Sequence, residues 1–138
     1  MIYWFIPDGQ RAALPEMIAP YRCVVLIERP VDDSFRNDVS RQLVSTGCRY
    51  MMAWGHDCSR WDDSVDWADL ERFGFGDIPP EHFVMTTWHV GQTLEEVFDY
   101  AKRHALLAYD DAELKSLLVL DIGNRERQAE IEKLYEQA

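Results

Sequence analysis

Four short apolar runs punctuate the chain: Cys23 to Glu28, Cys48 to Trp54, Phe83 to Trp88 and Leu117 to Ile122. None alternates apolar with polar residues. Each is apolar on both faces, as expected of strands buried on both sides of a parallel sheet. Between them the apolar period lengthens to that of a helix. Thr93 with Glu96 three residues later reads as a capping box, and Leu94, Val97, Phe98, Ala101 and Ala105 then fall on one stripe. Asp33 or Ser34 opens another helix, which turns Phe35, Val39 and Leu43 inward and stops at Gly47, a C′ glycine directly before a strand. A last helix follows Gly123-Asn124 and buries Ile131, Leu134 and Tyr135.

Strands alternating with helices predict right-handed crossovers and a three-layer α/β/α sandwich around a mainly parallel sheet of four or five strands, Rossmann-like or flavodoxin-like. Ile2 to Ile6 supplies the optional fifth strand. Residues 10–20, with Pro15 and Pro20, have room for one short helix at most. A length of 138 residues with no repeat or linker predicts a single domain. Residues 1–21 would be its N-terminal strand and irregular segment, and residues 22–138 its βα core. The apolar start ends at Pro7-Asp8 and lacks a basic flank, so it is too short for a signal peptide or a membrane span. Cys23, Cys48 and Cys58 are odd in number and irregularly spaced, which predicts reduced thiols and a cytoplasmic protein.

In open α/β sheets, ligands bind beyond the carboxyl ends of the strands. Reading on from those ends gathers Glu28, Trp54, His56, Asp57, Cys58, Thr86, Thr87, Trp88, His89 and Asp121 at one edge. The opposite ends, near Arg22, Gly47, His82 and Ser116, carry nothing comparable. The next helix contains Trp61, Asp62, Asp63, Val65, Asp66, Trp67, Ala68 and Asp69. With Ser59 as its cap, Asp62 and Asp63 sit in the first turn and complement the helix dipole. Asp62, Asp66 and Asp69 share a stripe within about 60° beside the apolar Trp61, Val65 and Ala68. Trp67 falls off the apolar stripe, so either the helix breaks there or an indole is exposed beside acids.

Charge sharpens this picture. The formal net charge is −11, which opposes binding to nucleic-acid phosphates or an anionic membrane. From Gly55 to Glu81, eight acids face two bases, a local balance of −6. Acids interleaved with tryptophan suit a basic protein partner, with Trp54, Asp57, Trp61, Asp62, Asp63, Asp66, Trp67, Asp69 and Trp88 as the candidate binding residues. A solvated acidic helix is the plainer reading of such a run.

A second chemistry is open to the same edge. Cys58 at a helix start could be activated by the helix dipole, with His56 or His89 as its base and Asp57 or Asp121 orienting the imidazole; the surrounding carboxylates work against that activation. His56, Cys58, His89 and Asp63 lack the spacing of a zinc site, so no metal is expected. No cofactor is expected either, because Gly74-Phe75-Gly76 precedes a strand and no GxGxxG or Walker loop occurs.

The segments Cys48-Arg49-Tyr50-Met51-Met52-Ala53-Trp54-Gly55-His56-Asp57-Cys58, Trp61-Asp62-Asp63-Ser64-Val65-Asp66 and Met85-Thr86-Thr87-Trp88-His89 resemble those of an uncharacterised family of small bacterial α/β proteins. The resemblance implies a bacterial, single-domain, cytoplasmic protein and carries no activity with it. Two functions follow as expectations. The first is a binding module of immunity-protein or adaptor type that holds a basic protein. The second is a small enzyme or small-molecule sensor using His56, Cys58, His89 and a carboxylate.

Overall fold

The computed structural model describes residues 1–106 and 116–138. Within them the elements are β1 (Ile2–Phe5), β2 (Tyr21–Ile27), α1 (Asp33–Thr46), β3 (Cys48–Gly55), α2 (Cys58–Arg72), β4 (Met85–Trp88), α3 (Leu94–Arg103), β5 (Ser116–Ile122) and α4 (Gln128–Gln137), with a 3₁₀ turn at Pro80–His82. The five strands form one sheet in the order β1-β5-β2-β3-β4, and every pairing is parallel. Numbered from β2, the four strands other than β1 stand in the 3-2-1-4 order of Rossmann-type sheets rather than the flavodoxin order. The N-terminal strand β1 is the outer neighbour of β5, with Ile2 opposite Leu118 and Phe5 opposite Asp121.

The central strands split their side chains between two cores, as their two-residue period requires. Cys23, Val25 and Ile27 of β2 pack with Val39, Leu43, Trp61 and Val65 of α1 and α2. Val24 and Leu26 pack on the other side with Leu94, Val97, Phe98 and Ile131 of α3 and α4. The sheet is therefore the middle of three layers. Residues 7–20 form no helix. They lie over the α1/α2 layer, where Ala12 is buried, and the Gln42 amide ties them down by donating to Ala12 O (2.9 Å) and accepting from Leu14 N (3.2 Å).

Helix ends are set locally. Asp32 caps α1 by accepting from Phe35 N at 2.8 Å. Gly47 ends it at φ 101°, donating to Leu43 O and Val44 O, and a Cβ there would collide with Ala19. Thr93 and Glu96 form the expected capping box on α3. Two of the boundaries that differ from the sequence reading bear on the site. The cap of α2 is Asp57, in the left-handed region at φ 51°, and not Ser59, which lies inside the helix. Asp62 and Asp63 are therefore beyond the first turn, and dipole complementation does not account for them. Strand β4 begins at Met85 rather than Phe83 and is an edge strand with half-buried side chains. The expectation of burial on both faces fails there because a sheet edge has a neighbour on one side only.

Candidate functional site

Parallel pairing brings the carboxyl ends of all five strands to one edge, and the helices decide what is exposed there. The connection after β2 leads into α1 on one face, and that after β5 into α4 on the other, so the crevice between β2 and β5 is the topological switch point of the sheet. A cluster that the sequence does not reveal sits at this point. Arg127, just ahead of α4, donates to both oxygens of fully buried Asp121 (Nε to Oδ2 2.9 Å, Nη2 to Oδ1 3.1 Å) and pairs with Glu28 at 2.9 Å. Tyr3 donates its hydroxyl to Asp121 Oδ2 at 2.5 Å and accepts from Arg127 N. Burial pushes the Arg127 guanidinium toward deprotonation, but Asp121 and Glu28 more than reverse this and hold it charged. Burial, then the bond to Asp121, raises the Tyr3 phenol above its ordinary range. The strand ends alone place Glu28 and Asp121 at this edge; Tyr3 and Arg127 join them only through folding.

Beside this cluster, Ile27, Glu28, Trp54, Gly55 and His56 line an open cleft of about 400 Å³. Its floor depends on Gly55, whose φ is 110° and whose position leaves no room for a Cβ against the Ile27 carbonyl. His56 N donates to that same carbonyl at 2.8 Å. The His56 side chain is exposed, and the Trp54 indole is half-buried and donates to Gln92 O at 2.9 Å. The cleft thus offers a carboxylate, an imidazole and an aromatic face.

The expected Cys-His pairing is not assembled. Cys58 is 3% exposed and packs in the α1/α2 core. His89 is buried on the other side of the sheet, bonded to Thr87 Oγ1 (2.9 Å) and Gln92 Oε1 (2.7 Å), with its ring edge-on to Tyr100. Both imidazole nitrogens are engaged, so His89 serves the β4–α3 junction rather than a thiol. Cys23 and Cys48 are also buried; burial raises both thiols, that of Cys48 to about 12, which removes them as nucleophiles at neutral pH. Among the described residues, no group of three or more His, Cys, Asp or Glu side chains could hold a metal ion, and no helix is long and apolar enough to cross a membrane.

On α2 the structure divides the predicted acidic surface. Trp61 is fully buried, so it is core and not a contact residue. Asp69 is 2% exposed and accepts from Val84 N at 3.0 Å, capping the approach to β4. Burial raises its carboxyl pKa despite that bond and the nearby Arg49, Arg72 and His82. The remaining acids come together. Asp62 and Asp66 both reach the Thr86 hydroxyl of β4, Asp66 at 3.2 Å, and Asp63, on the same turn of α2, is exposed. Burial, followed by the charge of Asp62, lifts Asp66 to about 6. The helix does not break at Trp67. Its indole is 60% exposed and lies against Phe75 with ring centroids 5.0 Å apart, Phe75 being turned out at φ 61° where its N–H donates to Leu70 O. Trp88, at the end of β4, is also exposed, and Asp57 is exposed at the start of α2.

A family model described as a domain of unknown function matches residues 1–138, from the first residue of the sequence to the last. The chain belongs to DUF7684. No match was found among curated proteins or among solved structures. Membership of DUF7684 agrees with the resemblance drawn from the β3–α2 and β4 segments, and it attaches no chemistry to the cleft or to the acidic face.

Proposed function

We propose that this DUF7684 chain is a binding module of immunity-protein or adaptor type, which presents the face formed by α2 and β4 to a basic protein partner. The observation that carries this reading is the pair of carboxylates on Thr86. A hydroxyl has one proton to donate, so it serves Asp62 or Asp66 but not both. The other carboxylate is left beside a like charge, and a Lys or Arg side chain from outside supplies the missing donor and neutralises the repulsion. Exposed Trp67, Phe75 and Trp88 add aromatic area of the kind that anchors protein interfaces. The buried, unpaired thiols fit a cytoplasmic setting.

The test is titration of the isotope-labelled chain with a short lysine-rich peptide in low salt, followed by NMR. Resonances of Asp62 to Trp67 and Met85 to Trp88 should move, and Asp62→Asn/Asp63→Asn/Asp66→Asn should weaken binding by roughly tenfold or more. Equal affinity in the triple variant, or shifts confined to another face, would reject the reading.

A second reading is supported by the cleft over Gly55. Its size and its mixture of Glu28, His56 and Trp54 suit a small cationic or hydrogen-bonding ligand, as in a sensor or small enzyme. Of the residues expected in that role, His56 lies at the cleft beside Trp54, whereas Cys58 and His89 face away from one another.

A further inference from the structure

Strand β4 has β3 on one side and, among the described residues, no strand on the other. His89 N donates to Ala53 O in β3 at 2.9 Å. Because successive residues of a strand turn their N–H and C=O groups to opposite sides, Thr87 and Met85 also face β3, while Val84, Thr86 and Trp88 face outward. Asp69 occupies the outward N–H of Val84. Among the described residues, those of Thr86 and Trp88 have no hydrogen-bond partner. The strand is short, which limits the edge to two outward residues, but Met85-Thr86-Thr87-Trp88 contains no Pro, Lys or other charge that would block pairing there. The charge stands one layer away, on Asp62 and Asp66, whose carboxylates meet at the Thr86 side chain.

We infer that the outer edge of β4 receives an extended basic segment of the partner as a sixth strand, bonded to the main chain of Thr86 and Trp88 and read by Asp62 and Asp66. This mode of binding rests on the basic-partner reading and specifies how the partner is held. Backbone bonds would hold the segment, and alternate side chains would select it. In an added strand, every second side chain falls on the α2 face, one strand spacing from Thr86, and therefore beside the two carboxylates. The recognised pattern is consequently a Lys or Arg at alternate positions, with small or apolar residues between them facing the Met85 and Thr87 side. The same charges oppose the rival occupant. Pairing β4 with β4 of a second copy would bring four aspartates together along one edge, with a net charge of −11 on each chain adding to the repulsion.

Three peptides test this against the intact chain in low salt. One alternates Lys with Val, one has the same composition with its lysines clustered, and one is the alternating peptide N-methylated at the backbone amides that would bond to β4. The alternating peptide should protect the Thr86 and Trp88 amides from hydrogen exchange, and N-methylation should weaken it by roughly tenfold or more, as expected for losing two or more backbone hydrogen bonds. Equal binding of all three, with those amides still exchanging, overturns strand addition and leaves a purely electrostatic acidic face. If none binds, the basic-partner reading falls as well. If Asp62→Asn/Asp66→Asn dimerises through the Thr86 and Trp88 amides while the wild-type chain ignores every peptide, the carboxylates only guard the edge and the inference is overturned.

Discussion

Two charged side chains, Arg127 and Asp66, have opposite standing in this molecule. Arg127 closes a saturated network, because both of its neighbouring carboxylates and the Tyr3 hydroxyl are engaged. Removing it strands a fully buried carboxylate at Asp121. Arg127→Met should therefore destabilise the fold by about 3–5 kcal/mol in urea denaturation; a loss below about 1 kcal/mol would mean that Asp121 does not depend on the guanidinium. Asp66 is under-served rather than saturated. It ionises at about 6 in the folded chain against an ordinary value of 3.8. Between those values the folded state keeps a proton that the unfolded state has released, so the Asp66 contribution to stability falls as pH rises through that window and is level above it. Asp66→Asn should remove this slope and leave the protein more stable than wild type at neutral pH, which urea midpoints measured on both sides of the window will show. An unchanged slope would place the proton elsewhere.

At the scale of elements, the best-read parts are those whose signals are local. Helix α3 follows from Thr93, Glu96 and one apolar stripe, all within its own sequence, and Thr93→Ala should cost about 1 kcal/mol by removing the cap. Thermal or urea denaturation measures this directly, and Glu96→Gln, which keeps the acceptor of the box, should cost less. The C-terminal stop of α1 at Gly47 and the spans of β2, β3 and β5 are legible for the same reason. Apart from the cap of α2, which moves by two residues with no distant partner involved, the misreadings turn on a partner distant in sequence. Asp69 reaches across to Val84, so the chain ahead of β4 is held by a side chain of α2 instead of continuing the strand to Phe83. Trp61 reads as an interface residue because its neighbours are acidic, but the α1/α2 layer encloses it. Nearness to strand ends groups Cys58 and His89 in one site. The two faces of the sheet separate them, with Thr86 turned toward α2 and Thr87 toward His89. The Tyr3–Asp121–Arg127 network has no local signal at all, since Tyr3 lies at the opposite end of the chain from its two partners.

Taken whole, the protein is two cores sharing one sheet, with all three thiols closed inside the first of them. Alkylation of Cys23, Cys48 and Cys58 should therefore be slow in native buffer and should rise in step with the loss of tryptophan fluorescence in urea. Earlier labelling of Cys58 alone would reveal local opening at the start of α2. The strand order also bears on how the chain reaches this state. Strands β2, β3 and β4 follow one another in sequence and in space, so they can pair as the chain lengthens. By contrast β1, the first strand, pairs among the described residues with β5 alone, the last. During synthesis it has to wait until β5 has appeared, and the inner flank of β2 waits with it. Non-local pairings of this kind slow folding and leave edges unpaired in the meantime. The sheet is complete only when β5 lies between β1 and β2, and that same placement brings Tyr3, Asp121 and Arg127 together.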